Sequence, residues 1–184
     1  MLVADKNRTV RMIAVLAIVC FVLQIAFAPN IGLGNGRANF ALVFVACCAM
    51  FLSPGSSAVA GFVAGLLFDL SSTAPVGLMA FCLSLAGYAL SYEGRERIAS
   101  EFGPQVIRGG IASLGVSIVY HLAMFLVGQG GSFFDVVFLR SLPTALLTSL
   151  FLLPFLFLLS RMKSSGPNLG SGVGGGGHLS RRGL

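Results

Sequence analysis

Long stretches without a charged residue divide this chain into apolar segments. They cover residues 12–28, 38–68, 70–92, 109–134 and 141–160. An α-helix needs about 20 apolar residues to cross a bilayer core. The second stretch is long enough for two helices, and it contains Pro54 and Gly55, which interrupt a helix and favour a hairpin. The pattern predicts six transmembrane helices, near residues 10–28, 38–53, 57–71, 75–92, 106–128 and 138–160.

The composition is that of an integral membrane protein. Of the 184 residues, 56% are hydrophobic and only 10% are charged, and the mean hydropathy is +0.92. A typical soluble domain has roughly 25% charged residues. This chain therefore has too few charges to cover a water-exposed surface, and its length favours one compact membrane domain.

The net charge of +6 is explained by membrane topology. With six spans both termini lie on one side, and cytoplasmic loops are enriched in Lys and Arg. If the termini are cytoplasmic, only Arg37 and Arg140 lie outside. The basic residues then inside are Lys6, Arg8, Arg11, Arg95, Arg97, Arg108, Arg161, Lys163, Arg181 and Arg182. This bias predicts cytoplasmic termini, and no basic domain is left over to bind nucleic acid.

The two ends of the chain differ in composition from its apolar middle. We expect a cytoplasmic N-terminus at 1–9, a six-helix transmembrane domain at 10–160 and a disordered Gly-rich cytoplasmic tail at 161–184. The second and third helices are short, so we expect them to be only slightly tilted, to thin the bilayer locally or to be re-entrant. The N-terminus also resembles a secretory signal that ends in "AFA" at 26–28. Pro29 directly after that site favours an uncleaved anchor.

A single acid, Asp69, lies among the apolar residues after the predicted hairpin. A carboxylate in a bilayer is costly and is normally kept for a reason. Its place near the outer end of the third helix favours a polar turn, in which "SST" at 71–73 caps the next helix. The alternative is an ion pair with Arg37 or Arg140. We favour Arg140, because Pro143 marks a helix start that would hold it at the boundary.

A polar stripe follows the fifth predicted helix. Gly109, Ser113, Ser117 and His121 recur every four residues and therefore share one helix face. We expect these side chains to form hydrogen bonds to a neighbouring helix. A proton relay between His121 and Asp69 is the alternative.

The polar residues do not form a catalytic or metal-binding pattern. The sequence contains no nucleophile elbow, paired carboxylates, P-loop or metal-ligand set. The cysteines all fall in predicted spans without CxxC spacing, so we expect them to pack as small apolar residues. They are Cys20, Cys47, Cys48 and Cys82. We predict no enzyme activity, no cofactor and no metal site.

A motif rich in glycine surrounds Asp69. It runs Gly61-Phe62, then Gly65-Leu66-Leu67-x-Asp69-Leu70, Pro75-x-Gly77-Leu78-x-Ala80 and Gly87-Tyr88. This motif resembles the MreD family of rod shape-determining proteins, which have a similar "GFxxGLLxDLxxxxPLGxxAxxxxLxGYL" run. The preceding "SPG" turn, the length and the six-span layout are also similar. Val76 departs from the family pattern, where leucine is usual. The motif residues are Gly61, Gly65, Asp69, Pro75, Gly77 and Gly87.

The resemblance implies a non-enzymatic subunit of the bacterial machinery that elongates the peptidoglycan cell wall and maintains cell shape. Such proteins associate in the cytoplasmic membrane with the bitopic protein MreC. Through it they associate with the MreB filament, the glycan polymerase RodA and a class B penicillin-binding transpeptidase. The family's fold is similar to the membrane substrate-binding subunits of energy-coupling-factor transporters, so we expect an all-α protein with six transmembrane helices. By the same resemblance, Asp69, Pro75 and Gly77 form the turn between the third and fourth helices.

Two other functions remain open. The shared fold, together with Asp69 and His121, is compatible with a substrate-binding membrane subunit of a small-molecule transporter, which needs an outward-facing pocket. An ion channel fits less well, because the polar residues do not form a continuous pore lining. The spacing of Gly61 and Gly65 favours close helix packing, either inside the bundle or against a partner.

Overall fold

Six α-helices and a small β-hairpin make up the computed structural model, which describes residues 2–72, 75–96, 102–128 and 132–164. The helices are α1 (Leu2–Ala26), α2 (Phe40–Cys48), α3 (Pro54–Leu70), α4 (Leu78–Glu96), α5 (Phe102–Leu126) and α6 (Leu142–Ser164). Between α1 and α2, strands β1 (Gly32–Leu33) and β2 (Gly36–Arg37) pair antiparallel. A π-helical segment, Asp135–Ser141, leads directly into α6.

The outer surface of the bundle is apolar. Asn7–Ala26, Gly103–Leu126 and Asp135–Arg161 are long and apolar enough to cross a membrane, and Pro54–Leu70 and Leu78–Glu93 are shorter apolar helices. Large aliphatic side chains are exposed along all of these elements. Such a surface suits hydrocarbon rather than water, because it leaves few polar groups to be solvated. The chain is a membrane protein.

The short helix α2 lies at the centre of the bundle. All nine of its residues are buried, and it contacts each of the other five helices. A helix that is apolar on every side is stable only when other elements surround it. Its first backbone amides lack partners within the helix. Polar side chains provide the missing acceptors: Gln24 accepts from Phe40 N at 2.8 Å, and Asn39 accepts from Leu42 N at 3.0 Å. Just before the helix, Thr148 accepts from Asn39 N at 3.0 Å.

Several predicted helix boundaries differ from those observed. α1 already begins at Leu2, and α2 ends at Cys48 instead of near residue 53. The helix predicted to start at residue 75 starts at Leu78, because the preceding residues form a turn. The predicted start at Pro143 falls in the first turn of α6, but the π-helical segment precedes it without a break.

The β-hairpin is an addition to the predicted all-α fold. Its two strands are joined by Gly34 and Asn35, and Gly34 has a φ of 61°. A Gly-Asn pair between short extended segments is a hairpin signal, because glycine adopts this left-handed conformation readily. The predicted disordered tail lies outside the described residues from 165 onward, as do residues 97–101 between α4 and α5.

Candidate functional site

A tight turn joins α3 to α4 and contains the centre of the motif. α3 ends at Leu70 and α4 begins at Leu78. Gly77 precedes α4 with a φ of 101°, a conformation that a Cβ would strain. The carbonyl of Pro75 accepts a hydrogen bond from the Leu78 amide at 3.4 Å. The chain can therefore reverse direction here within a few residues.

The carboxylate of Asp69 accepts hydrogen bonds from backbone amides at the start of α4. Its Oδ2 atom accepts from Gly77 N at 2.9 Å and from Ala80 N at 3.2 Å. The Met79 amide donates to both oxygens, at 3.2 Å to Oδ1 and 3.1 Å to Oδ2. These amides have no partner inside α4, and the N-terminus of a helix attracts negative charge. Asp69 therefore caps α4 from the preceding helix.

Burial makes this cap important for the fold. Asp69 is only 1% exposed, and a buried charged group is costly unless it is hydrogen-bonded. In the structure no ion pair joins Asp69 to Arg37 or Arg140, all three of which are among the described residues. The ion pair predicted from the sequence is therefore not seen. Both carboxylate oxygens are already engaged by the amides of α4.

The serines after Asp69 cap the C-terminal end of α3, whereas the sequence predicted that they cap the start of α4. The hydroxyl of Ser71 donates to the carbonyl of Phe68 at 2.9 Å, and that of Ser72 donates to the carbonyl of Asp69 at 3.2 Å. Both acceptors lie in the last turn of α3, where carbonyl groups lack helical partners. Thr73, the third predicted cap, lies outside the described residues.

Three motif glycines form the contact surface between α3 and α4. A Cβ on Gly61 would lie 2.7 Å from the carbonyl carbon of Leu83, and one on Gly65 would lie 2.6 Å from the amide nitrogen of Ala80. On the α4 side, Gly87 is equally close to the backbone of α3. The two backbones can approach this closely only because no side chain separates them. In this structure the glycine spacing serves packing inside the bundle.

A polar cavity of about 420 Å³ opens beside the α3–α4 turn. Its walls come from the ends of α1 and α3, the β-hairpin, the first turn of α4, α5 and the start of α6. Its polar lining includes Gln24, Arg37, Asn39, Tyr120, His121 and Thr144. Two of the candidate polar residues, Arg37 and His121, therefore share one cavity, while Arg140 is not among the residues that line it.

The hydrogen bond of His121 lies within its own helix. Its Nδ1 atom is 2.8 Å from the carbonyl oxygen of Ser117, so this nitrogen carries the proton and donates. The third candidate, Arg140, is half-buried in the π-helical segment and close enough to act electrostatically on the imidazole. No hydrogen bond joins His121 to Asp69, although both are described, so the structure does not contain the relay considered above.

The remaining residues of the polar stripe connect α5 to α6. The Ser113 hydroxyl donates to the carbonyl of Ala145 at 2.8 Å and lies 3.2 Å from the Ser149 hydroxyl. A Cβ on Gly109 would overlap the side chain of Leu152. The stripe thus combines close packing with a hydrogen bond between neighbouring helices.

A family model for the rod shape-determining protein MreD matches residues 5–163. The chain belongs to the MreD family. The matched region contains almost all of the helical bundle, including the α3–α4 turn and the cavity. The MreD family has a role in rod shape determination, in a system with MreB and MreC, and it is not known as an enzyme family.

No match is found among curated proteins or among solved structures. The predicted likeness of this MreD-family chain to energy-coupling-factor subunits therefore stays a prediction.

Several polar residues of the cavity were not among the sequence candidates, and four of them are Gln24, Asn39, Tyr120 and Thr144. Each lies in or next to an apolar stretch and far from the others in sequence, so no local pattern connects them. The only available signal was that polar side chains in a membrane segment usually have partners.

Proposed function

We propose that this MreD-family protein is a non-enzymatic scaffold for partner membrane proteins in the machinery of cell-wall elongation, and that it thereby maintains cell shape. The family match over residues 5–163 carries the proposal. The position of Asp69 supports it, because the charged group of the motif is used to cap a helix. The direct partner is an MreC-like bitopic protein. MreB, RodA and a class B penicillin-binding transpeptidase associate through that partner.

A groove between α4 and α5 is the surface proposed for the transmembrane helix of the MreC-like protein. It has a volume of about 390 Å³ and contains the small residues Ala86, Ala89, Ala112 and Gly115. Small residues let helix backbones approach closely in lipid, where van der Waals packing favours association.

Filling this groove should prevent the association. A Cβ on Gly115 would meet no atom within 4 Å, so Gly115→Leu fits the folded chain but occupies the groove. We expect the MreC-like protein recovered with affinity-tagged Gly115→Leu from native membranes to fall about tenfold, a loss of about 1.4 kcal/mol. Quantitative immunoblotting of the co-purified partner measures this.

Gly55→Leu is the matched control. Gly55 also has open space around it, but it lies at the exposed start of α3, outside the groove. This variant should recover as much partner as the wild type. Equal recovery with Gly115→Leu would show that the partner does not use the groove, and absence of the partner from wild-type preparations would contradict the scaffold function.

We further propose that the chain crosses the bacterial cytoplasmic membrane six times, with both termini and residues 93–108 in the cytoplasm. The excess of Lys and Arg on that side supports this topology. Green fluorescent protein joined after residue 100 should fluoresce, whereas alkaline phosphatase at that point should be inactive. Phosphatase joined after Gly128 should be active. The reverse pattern would overturn the topology.

A substrate-binding membrane subunit of a small-molecule transporter is the second candidate function. The polar cavity favours it, since such a subunit needs an outward-facing pocket. Native mass spectrometry of the purified protein distinguishes the two functions. A small metabolite retained with the chain, together with loss of its uptake on gene deletion, would support transport over scaffolding.

A further inference from the structure

Two of the three amide side chains that line the polar cavity have their acceptor atoms occupied. Gln24 and Asn39 each use the side-chain oxygen to accept a backbone amide of α2. That use fixes their orientation and leaves the amino groups as donors. The Asn39 amino group has only a weak contact, 3.6 Å to the sulfur of Met79. The amino group of Gln24 has no protein partner among the described residues.

Arg37 and Thr144 add further donors to the same cavity. The Thr144 hydroxyl oxygen accepts the backbone amide of Arg37 at 3.2 Å, so its hydrogen is left to donate. The Arg37 guanidinium is exposed and has no hydrogen bond or ion pair with any described residue. No acidic side chain is among the described residues that line the cavity. The site therefore has unused donors and one unpaired cation.

We propose that the cavity binds a phosphate-type anion, with Arg37 as its cation and Gln24 and Thr144 as neutral donors. Phosphate presents several acceptor oxygens, and the planar fork of arginine matches them with paired hydrogen bonds. Ile25 and Phe68 form part of an apolar wall, which would accommodate the hydrocarbon part of an amphiphile. The phosphate comes either from a lipid headgroup or from a water-soluble phosphate compound.

Calorimetric titration of the full chain in an uncharged detergent tests this proposal. The probes are inorganic pyrophosphate, dihexanoylphosphatidic acid and dihexanoylglycerol, which lacks the phosphate. Saturable binding of dihexanoylphosphatidic acid, but not of dihexanoylglycerol, is expected. Binding of pyrophosphate as well would assign the recognition to the phosphate alone, whereas its failure to bind would identify a lipid headgroup as the source.

Two variants separate the cavity from general surface charge. Arg37→Gln should weaken binding at least about tenfold, because it removes a charge-assisted contact. Arg11→Gln removes the same charge from an exposed position of α1 that is far from the cavity, and it should change binding less than about twofold. Gln24→Glu keeps an acceptor for the Phe40 amide but replaces the donor with a negative charge, so it should abolish binding in a folded chain.

Three results would overturn the proposal. The first is that no phosphate probe binds to the wild type. The second is that Arg37→Gln and Arg11→Gln weaken binding equally, and the third is that folded Gln24→Glu binds as well as the wild type. Circular dichroism of each variant checks that it remains helical.

Discussion

Replacing Asp69 with alanine should lower the free energy of unfolding by about 3 kcal/mol. The change removes a buried charge that accepts from the amides of Gly77, Met79 and Ala80, and it leaves those amides without partners. It also removes the favourable interaction of a carboxylate with the N-terminus of α4. Reversible unfolding in mixed micelles, followed by circular dichroism, measures the loss.

Asp135→Ala is the matched control for this prediction. Asp135 is exposed and bonds only locally, accepting from the Ser132 hydroxyl at 2.8 Å and from the Ser132 amide at 3.3 Å. Removing it should cost about 1 kcal/mol or less. Because Asp69 forms no ion pair with Arg140, Asp69→Asn and Arg140→Gln should have additive effects. Equal losses at both aspartates, or a strong coupling to Arg140, would contradict the cap.

Replacing Gly65 with leucine should be still more damaging, at about 4 kcal/mol. Even its Cβ would lie 2.6 Å from the amide nitrogen of Ala80 and from the carbonyl oxygen of Met79. Both are backbone atoms of α4, so they cannot rotate away and the two helices must separate. The same unfolding measurement, repeated with Gly65→Ala, should already show a clear loss.

Gly115→Ala provides the comparison for Gly65→Ala. A Cβ at Gly115 would meet nothing within 4 Å, and alanine favours the helix by about 1 kcal/mol over glycine. In the isolated chain this variant should be as stable as the wild type or more so. If Gly65→Ala behaved in the same way, α3 and α4 would not be packed through glycine.

The number of helices was predictable because the apolar stretches are long and interrupted by turn residues. Their limits were less predictable. Apolarity alone did not indicate that α2 is only nine residues long and buried on every side by the other helices. The hairpin at 32–37 was missed because its strands have two residues each, too few for an alternating pattern to appear.

The cap formed by Asp69 was only partly accessible from the sequence. The motif indicated a turn, but the amides that donate to Asp69 lie eight to eleven residues later in the chain. Whether they come within hydrogen-bonding distance depends on the path of the turn. The ion pair with Arg140 was a reasonable expectation from membrane depth alone. It fails because both oxygens of the buried carboxylate already accept hydrogen bonds from backbone amides at the start of α4, the next helix along the chain.

Amide hydrogen exchange at the start of α4 tests most directly whether Asp69 is a structural cap. The first amides of a helix ordinarily exchange rapidly, because they have no partner within it. In detergent-solubilised wild type, NMR should show Met79 and Ala80 exchanging about as slowly as the middle of α4. In Asp69→Ala they should exchange about a hundredfold faster relative to that middle, consistent with a loss of about 3 kcal/mol. Rapid exchange of both amides in the wild type, or an unchanged ratio in the variant, would contradict the account.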